Sequence, residues 1–348
     1  MTDEPPRTLR LRFDRDALAA NWRALDRLSG AAAAGAAAKA NAYGLGVERV
    51  LPVLAEAGCQ AYFVAHWSEV APVVRHVPPH QVSVLHGPLC AEDAAYARAT
   101  GVRPVINSLY QARQWLESGG GPCDLMLDTG INRLGLPPGE IGDPLVAALE
   151  VETLMSHLAS ADEDSAQNDK QRRLLDELAP LVRHRRRSLA NSAGIGLGPD
   201  FACDLTRPGL SLYGGIPRPQ LAPHIRQVAH PQAAVIQLRD LEPGDRVGYN
   251  GTWTATRPTR AATVSLGYGD GFLRCWSGKG TLRRGDASLP LLGLVSMDMV
   301  VVDCGGAPGL REGDWLDVPF DLPTAAQQTG LSQYELLTTL GDRYESVG

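Results

Sequence analysis

Lys39 ends a run of alanines in the segment AAAAGAAAKANAYGLG, residues 31–46. Alanine is a strong helix former and most lysines are solvated, so an alanine-rich helix with an exposed lysine is the simplest interpretation. A lysine held away from water has a lowered pKa and can form a Schiff base with an aldehyde. The small side chains before Lys39 would leave room for a flat ring. The segment is therefore a candidate site for covalent chemistry.

Four further polar residues lie within a few positions of the ends of short apolar runs, which predict strands. These residues are Arg133, His157, Ser192 and Arg207. Because the carboxyl ends of parallel strands meet at one edge of a sheet or barrel, we expect them to converge with Lys39. A mouth rich in positive charge that also holds a serine suits an anionic ligand.

The segment LTRPGLSLYGG supplies a candidate phosphate site. Gly209 and Leu210 fall at the first turn of a possible short helix, where backbone N–H groups are free, and the Ser192 hydroxyl follows the preceding strand. Barrels carry phosphate sites after strands 7 and 8. The letters RPG by themselves predict only a turn, but a phosphate site combined with a desolvated lysine fits pyridoxal phosphate as cofactor.

Short apolar runs alternate with longer amphipathic ones from residue 31 to about residue 215, a pattern typical of repeated βα units. Eight parallel strands predict an α/β fold with a (β/α)8 TIM-type barrel, although an open doubly wound sheet also fits. The basic run RHRRR at 183–187 is interpreted as the solvated end of a helix. The predicted strands are 33–38, 61–65, 82–86, 103–107, 123–128, 152–157, 187–191 and 203–206.

The sequence changes after about residue 228 to short alternating runs with Gly, Pro and Asp turns, which predict a mostly-β domain. The segment TLRLRF at 8–13 alternates in the same way, so the N-terminus is expected to pair with that domain. We therefore predict a barrel at 14–228 and a mostly-β domain made of 1–13 and 229–348.

Composition narrows the function classes. With 348 residues, a net charge of −6 and no apolar window of membrane-spanning length, neither nucleic acid nor membrane is an expected partner. The six cysteines are scattered without a CxxC pair, which argues against disulfides and against a metal site. A charged N-terminus without an apolar segment predicts a cytoplasmic protein.

Seven motifs resemble those of the bacterial alanine racemase family, in the family's order, between residues 36 and 303. They are AAAKANAYGLG, LDTGINRLGL, SHLASAD, NSAG, RPGLSLYGG, VSLGYGDGF and LGLVSMDMVVVD. The resemblance implies a pyridoxal 5′-phosphate enzyme of fold type III, with an N-terminal barrel and a C-terminal β domain. It also implies a homodimer with active sites shared across the interface, and D-alanine supply for peptidoglycan.

The resemblance assigns the reaction to two residues. Lys39 would bind the cofactor covalently and act as one acid/base, while Tyr268 from the partner chain would act as the other. Arg207 would face the pyridine nitrogen, supported by a hydrogen bond from His157. Because an arginine keeps its proton, this arrangement would restrain decarboxylation and transamination.

The resemblance also assigns binding roles. Arg133 and the backbone of Met297 from the partner chain would contact the substrate carboxylate, Asp162 would lie on the entrance path, and Asp298 is interpreted as structural. The phosphate ligands would be Tyr43, Ser192, Gly209, Leu210 and Tyr334.

Two positions depart from the family pattern. Met126 stands where many members have a lysine that can be carbamylated, so Arg133 must be positioned in another way. Ser188 stands where a histidine often lies behind the ring-facing arginine.

Three other functions remain as alternatives to an alanine racemase. They are a racemase acting on serine, lysine or a broader set of amino acids, a non-catalytic pyridoxal phosphate carrier, and a decarboxylase. Tyr268 and the β domain disfavour the carrier, and Arg207 disfavours the decarboxylase.

Overall fold

The computed structural model describes residues 5–347, so residues 1–4 and 348 of the predicted mostly-β domain lie outside the described residues. The chain divides into two compact units, one formed by Arg15–Arg226 and the other by Met1–Asp14 with Gln227–Gly348. Among the described residues, no helix combines the length and apolar character needed to span a membrane. All six cysteines are free.

The unit Arg15–Arg226 is a closed barrel of parallel strands, which confirms the predicted (β/α)8 fold. Gly35 divides the first strand into Ala33–Ala34, which pairs with Leu205–Thr206, and Ala36–Ala37, which pairs with Tyr62–Val64. The sheet therefore closes on itself. The remaining strands are Val82–Val84, Arg103–Ile106, Pro122–Met126, Glu150–Met155 and His184–Ser188. The helices are Arg15–Leu28, Val47–Ala57, Val70–Val73, Ala91–Thr100, Leu109–Glu117, Pro144–Ala147, Ala166–Leu178 and Ser192–Leu197.

The first strand is rich in small residues because its neighbours in the barrel leave little space for larger side chains. A Cβ atom on Gly35 would lie 2.8 Å from the carbonyl oxygen of Ala61 and 3.0 Å from a ring carbon of Phe63. The cluster in the barrel interior consists of Ala61, Phe63, Val105, Met126, Met155 and Leu205. Tertiary packing thus overrides the helix propensity of alanine.

The basic run at 183–187 forms most of the strand His184–Ser188, so its interpretation as a helix end is wrong, and the strand begins earlier than the predicted 187–191. The arginines have partners on neighbouring elements. Arg186 Nε donates to Thr153 Oγ1 at 2.9 Å, and Arg187 pairs with Asp176 at 2.8 Å. These partners stabilise a charged strand that the local sequence does not favour.

The second unit is mostly β, as predicted. Leu9–Phe13 pairs antiparallel with the long strand Ala229–Leu241, with Leu9 opposite Ala233. The other strands are Arg246–Val247, Trp253–Thr254, Thr259–Val264, Thr281–Arg284, Ala287–Pro290, Val300–Asp303, Trp315–Asp317 and Glu345–Val347. Two helices, Leu322–Thr329 and Gln333–Thr338, complete the described part of this unit.

Candidate active site

Lys39 follows the first barrel strand at its carboxyl end and begins a left-handed turn. Ala40, Asn41, Ala42 and Tyr43 have φ values of 51°, 51°, 54° and 56°. Residues other than glycine adopt this conformation at a cost of roughly 1–2 kcal/mol each, so the surroundings must hold the turn. The turn places Lys39 and Tyr43 at its two ends.

The Lys39 amine is partly buried among charged groups. Burial lowers the pKa of Lys39 below its ordinary value, the positive charge of Arg133 lowers it further, and the Glu69 carboxylate acts in the opposite direction. The structure therefore brings Lys39 and Arg133 together at the barrel mouth. A lowered pKa leaves more of the amine neutral, which is its nucleophilic form.

Arg207 is buried, and its guanidinium is fixed by acceptors on the neighbouring strand ends. Nη1 donates to the Ser188 hydroxyl, and Nη2 donates to the carbonyl oxygen of Ser156 at 2.5 Å and to that of Leu189 at 3.5 Å. Burial lowers the pKa of Arg207 to about 10, which leaves it charged at neutral pH.

The hydrogen bonds of the described residues do not include the expected one from His157 to Arg207, so that bond stays a prediction. Ser188 Oγ, which also donates to the carbonyl oxygen of Leu205, provides an acceptor for Arg207. Burial, followed by the positive charges of Arg207, Arg133 and Lys39, lowers the pKa of His157 to about 3. The imidazole is therefore neutral at neutral pH.

Ser192, Gly209 and Tyr43 meet in a cradle. The buried Ser192 hydroxyl accepts the N–H groups of Gly209 at 3.0 Å and Ser211 at 3.1 Å. A Cβ atom on Gly209 would lie 2.2 Å from the Tyr43 hydroxyl oxygen. Among the described residues, no partner accepts from the Leu210 N–H, and the buried Ser211 hydroxyl has none. This unused hydrogen-bonding capacity suits a phosphate.

Arg133 lies on an exposed loop that returns to its own strand. Leu136 N–H donates to the carbonyl oxygen of Met126 at 2.8 Å. Asp128 Oδ1 holds the loop by accepting the N–H groups of Gly130, Ile131 and Asn132. The Met126 side chain packs in the barrel interior, so backbone bonds of the loop, and not an anionic side chain at position 126, position the segment that carries Arg133.

In the second unit the structure brings Tyr268 and Met297 together. Tyr268 N–H donates to the carbonyl oxygen of Ser296 at 3.0 Å, and Gly269 N–H donates to that of Met297 at 2.9 Å. Tyr268 and Met297 are 37% and 54% exposed. Both are therefore available at the surface of this unit.

Ion pairs support this segment. Arg343 binds the buried Asp270 at 2.7 Å and Asp298 at 2.6 Å. Asp270 Oδ2 also accepts the Gly267 N–H at 2.9 Å, immediately before Tyr268. The pairing with Arg343 agrees with a structural role for Asp298.

Tyr334 lies on the helix Gln333–Thr338 of the second unit, and Asp162 lies on an exposed turn of the barrel unit. Tyr334 is 42% exposed. The phosphate contact of Tyr334 and the entrance role of Asp162 stay predictions.

The sequence did not indicate three functional candidates that the structure reveals, Glu69, Ser156 and Ser211. Glu69 follows His66 by three positions, just after a strand, and this spacing is typical of a residue that caps a turn. Ser211 follows Gly209 closely in the RPG segment, but nothing in the sequence shows that its hydroxyl would be buried without a partner.

Comparisons with known proteins cover both units. Residues 13–217 match the family model described as alanine racemase, N-terminal domain, and residues 228–348 match that of the C-terminal domain. The chain is 39% identical to an alanine racemase of Acidiphilium cryptum, over 97% of this chain and 98% of the relative. It is 42% identical to one of Cereibacter sphaeroides, over 97% of each chain.

The structure resembles a crystal structure of alanine racemase from Bartonella henselae with covalently bound pyridoxal phosphate. The TM-score is 0.91 at 32% identity, over 98% of this chain and 99% of that chain. The relatives and the solved structure thus match both units of the chain.

Proposed function

Because the chain belongs to the alanine racemase family, we propose that it interconverts L-alanine and D-alanine with pyridoxal phosphate as its cofactor. The observation that carries this proposal is the grouping of a desolvated Lys39 amine with the charged Arg133 and Arg207 at one barrel mouth. We further propose a cytoplasmic homodimer that supplies D-alanine for peptidoglycan.

The residues at the mouth fit the cofactor. Lys39 would bind its aldehyde, and the cradle would hold its phosphate through the hydroxyls of Tyr43 and Ser192 and the N–H groups of Gly209 and Leu210. The Leu210 N–H and Ser211 hydroxyl need acceptors or donors that an anion and its water could supply. Tyr334 would add a hydroxyl. When bound, pyridoxal phosphate withdraws electrons from the Cα of an amino acid and so acidifies its proton.

Arg207 would face the pyridine nitrogen. Its guanidinium is fixed by Ser188 and Ser156 and keeps its proton, so it offers a hydrogen bond to the nitrogen without transferring a proton to it. By keeping its proton, Arg207 would limit the electron withdrawal of the ring, and this would favour return of a proton to Cα over loss of carbon dioxide or transfer of the amino group. His157, whose pKa is lowered, would add no charge to the site.

Racemisation requires one group to remove the Cα proton from one face and a second group to deliver a proton to the other face. Lys39 would serve one face, since burial and Arg133 lower the pKa of its amine and so favour the neutral form that accepts a proton. Tyr268 of the partner subunit would serve the opposite face with its hydroxyl. Arg133 and the backbone of Met297 of the partner subunit would bind the substrate carboxylate and hold Cα between the two groups.

A racemisation assay tests this proposal. The purified chain, loaded with pyridoxal phosphate, is incubated with L-alanine, L-serine or L-lysine, and the D-enantiomers are separated by chiral chromatography. We expect the fastest turnover with L-alanine. Faster turnover of serine or lysine would assign another specificity, and bound cofactor without any turnover would indicate a carrier.

A further inference from the structure

The Glu69 carboxylate bonds to two loops at the barrel mouth. Oε1 accepts the N–H of Ala40 at 2.5 Å, and Oε2 accepts the N–H groups of Ala65 and His66 at 2.7 and 3.1 Å. Ala65 and His66 follow the strand Tyr62–Val64, whereas Ala40 directly follows Lys39. One carboxylate therefore ties the Lys39 turn to the neighbouring strand end.

The bond to Ala40 is placed where the left-handed turn needs support. The N–H of Ala40 is at the start of the turn, where no acceptor within the turn can reach it. The other end is secured within its own loop, because Asn41 Oδ1 accepts the Val47 N–H at 3.0 Å and the Asn41 carbonyl accepts the Gly46 N–H at 2.9 Å. Glu69 supplies the charge-assisted bond that closes the start of the turn.

The charges around the Lys39 amine also involve Glu69. Burial and Arg133 lower the pKa of Lys39, and Glu69 opposes them. His157 and His86 also face Lys39, since the Lys39 charge contributes to lowering the pKa of each. The His86 ring contacts the His66 ring edge-on at 4.2 Å. Among the described residues whose charges act on Lys39, Glu69 is the acidic one.

Building on the proposed function, we propose that Glu69 is the positioning residue of the Lys39 turn. Its carboxylate fixes the left-handed conformation that presents Lys39 and Tyr43 to the cofactor, and its negative charge opposes the positive groups around the Lys39 amine. Glu69 acts through the turn and does not itself touch the reacting atoms.

The test measures Lys39 directly in the full-length, cofactor-free chain. An amine-reactive reagent is applied across a pH series, and labelling is read by peptide mass spectrometry. Exposed Lys170 and Lys279 serve as references in the same sample. A parallel titration with pyridoxal phosphate gives the dissociation constant of the cofactor.

We expect Glu69→Gln to shift the labelling midpoint of Lys39 to lower pH and to leave those of Lys170 and Lys279 unchanged. The dissociation constant of pyridoxal phosphate should rise about tenfold, because a charge-assisted bond to the turn is lost. Glu69→Asp should keep the wild-type midpoint but still weaken cofactor binding, because the shorter side chain cannot reach all three N–H groups. The matched control is Asp143→Asn, which alters a carboxylate that accepts the Leu145 N–H in the same unit; it should change neither quantity.

A wild-type midpoint together with wild-type cofactor affinity in Glu69→Gln would overturn the proposal. If that variant does not fold, Glu69→Asp decides, and cofactor affinity equal to the wild type would overturn it. Failure of the proposed function is separate: the wild type would then racemise no alanine, while the response of Lys39 to Glu69→Gln would be unaffected.

Discussion

Replacing Ser188 with alanine should remove the main side-chain partner of a buried cation. Ser188 is completely buried, its Oγ accepts Nη1 of Arg207, and the same Oγ donates to the carbonyl oxygen of Leu205. Arg207 would retain the carbonyl oxygen of Ser156 at 2.5 Å and that of Leu189 at 3.5 Å. The Nη1 atom of Arg207 and the carbonyl oxygen of Leu205 would each lose a hydrogen-bond partner. Because both residues are buried, water could not replace it.

The magnitude follows from these two bonds. A hydrogen bond to a charged group contributes about 1.5–3 kcal/mol and a neutral one about 1 kcal/mol, so Ser188→Ala should lower the free energy of unfolding by roughly 2–4 kcal/mol. Ser211→Ala is the matched control, since Ser211 is equally buried but its hydroxyl has no partner among the described residues. It should change stability by less than about 0.5 kcal/mol.

Urea denaturation of the cofactor-free chain, followed by far-ultraviolet circular dichroism, measures both variants against the wild type. The expected result is a lower midpoint for Ser188→Ala and an unchanged one for Ser211→Ala. Equal midpoints for the two variants would refute the claim that Ser188 stabilises Arg207 and replaces the expected histidine.

Three further predictions concern the site. The pKa of His157 falls from 6.5 to about 3 on folding, so the unfolded chain binds an extra proton between these pH values. The free energy of unfolding should therefore decrease as pH falls from about 6.5 to 3, by up to about 1.4 kcal/mol per pH unit. Urea midpoints measured across this range should depend less on pH in His157→Gln than in the wild type, and an unchanged dependence would contradict this prediction. Gly209→Ala places a Cβ atom 2.2 Å from the Tyr43 hydroxyl oxygen and should weaken pyridoxal phosphate binding at least about tenfold. The control Gly139→Ala, whose Cβ would meet nothing within 4 Å, should leave cofactor binding unchanged. Equal titration curves for the two variants would count against the cradle. Tyr268→Phe should reduce alanine racemisation about 10²- to 10⁴-fold with the cofactor still bound, and full activity in the chiral assay would exclude the two-base mechanism.

The sequence predicted the barrel because the apolar runs recur with the βα period, and strand-end positions of Lys39, Arg133, His157 and Arg207 follow from that period. The packing of Phe63 against Gly35 could not be read from the sequence. The alanines alone favour a helix, and the barrel interior determines that they form a strand.

Local patterns failed where tertiary partners decide the conformation. The left-handed turn at Ala40–Tyr43 contains no glycine, and its single asparagine, Asn41, does not predict four consecutive positive φ values. Glu69, distant in sequence, supports the turn. The strand His184–Ser188 depends on Asp176 and Thr153, which are also distant in sequence. From the sequence, Ser188 could be recognised only as a departure from the family pattern. Its bond to Arg207 forms only in the folded barrel and so could not be predicted.

Lys39 is the residue that we propose carries the cofactor of an alanine racemase. The chain contains three lysines, Lys39, Lys170 and Lys279, so the site of attachment can be determined without ambiguity. The loaded, active protein is reduced with borohydride and mapped by peptide mass spectrometry, and D-alanine formation is measured before and after reduction. We expect the pyridoxyl group on Lys39 and complete loss of racemisation. Attachment to Lys170 or Lys279, or racemisation that survives reduction of Lys39, would show that Lys39 is not the residue that carries the cofactor.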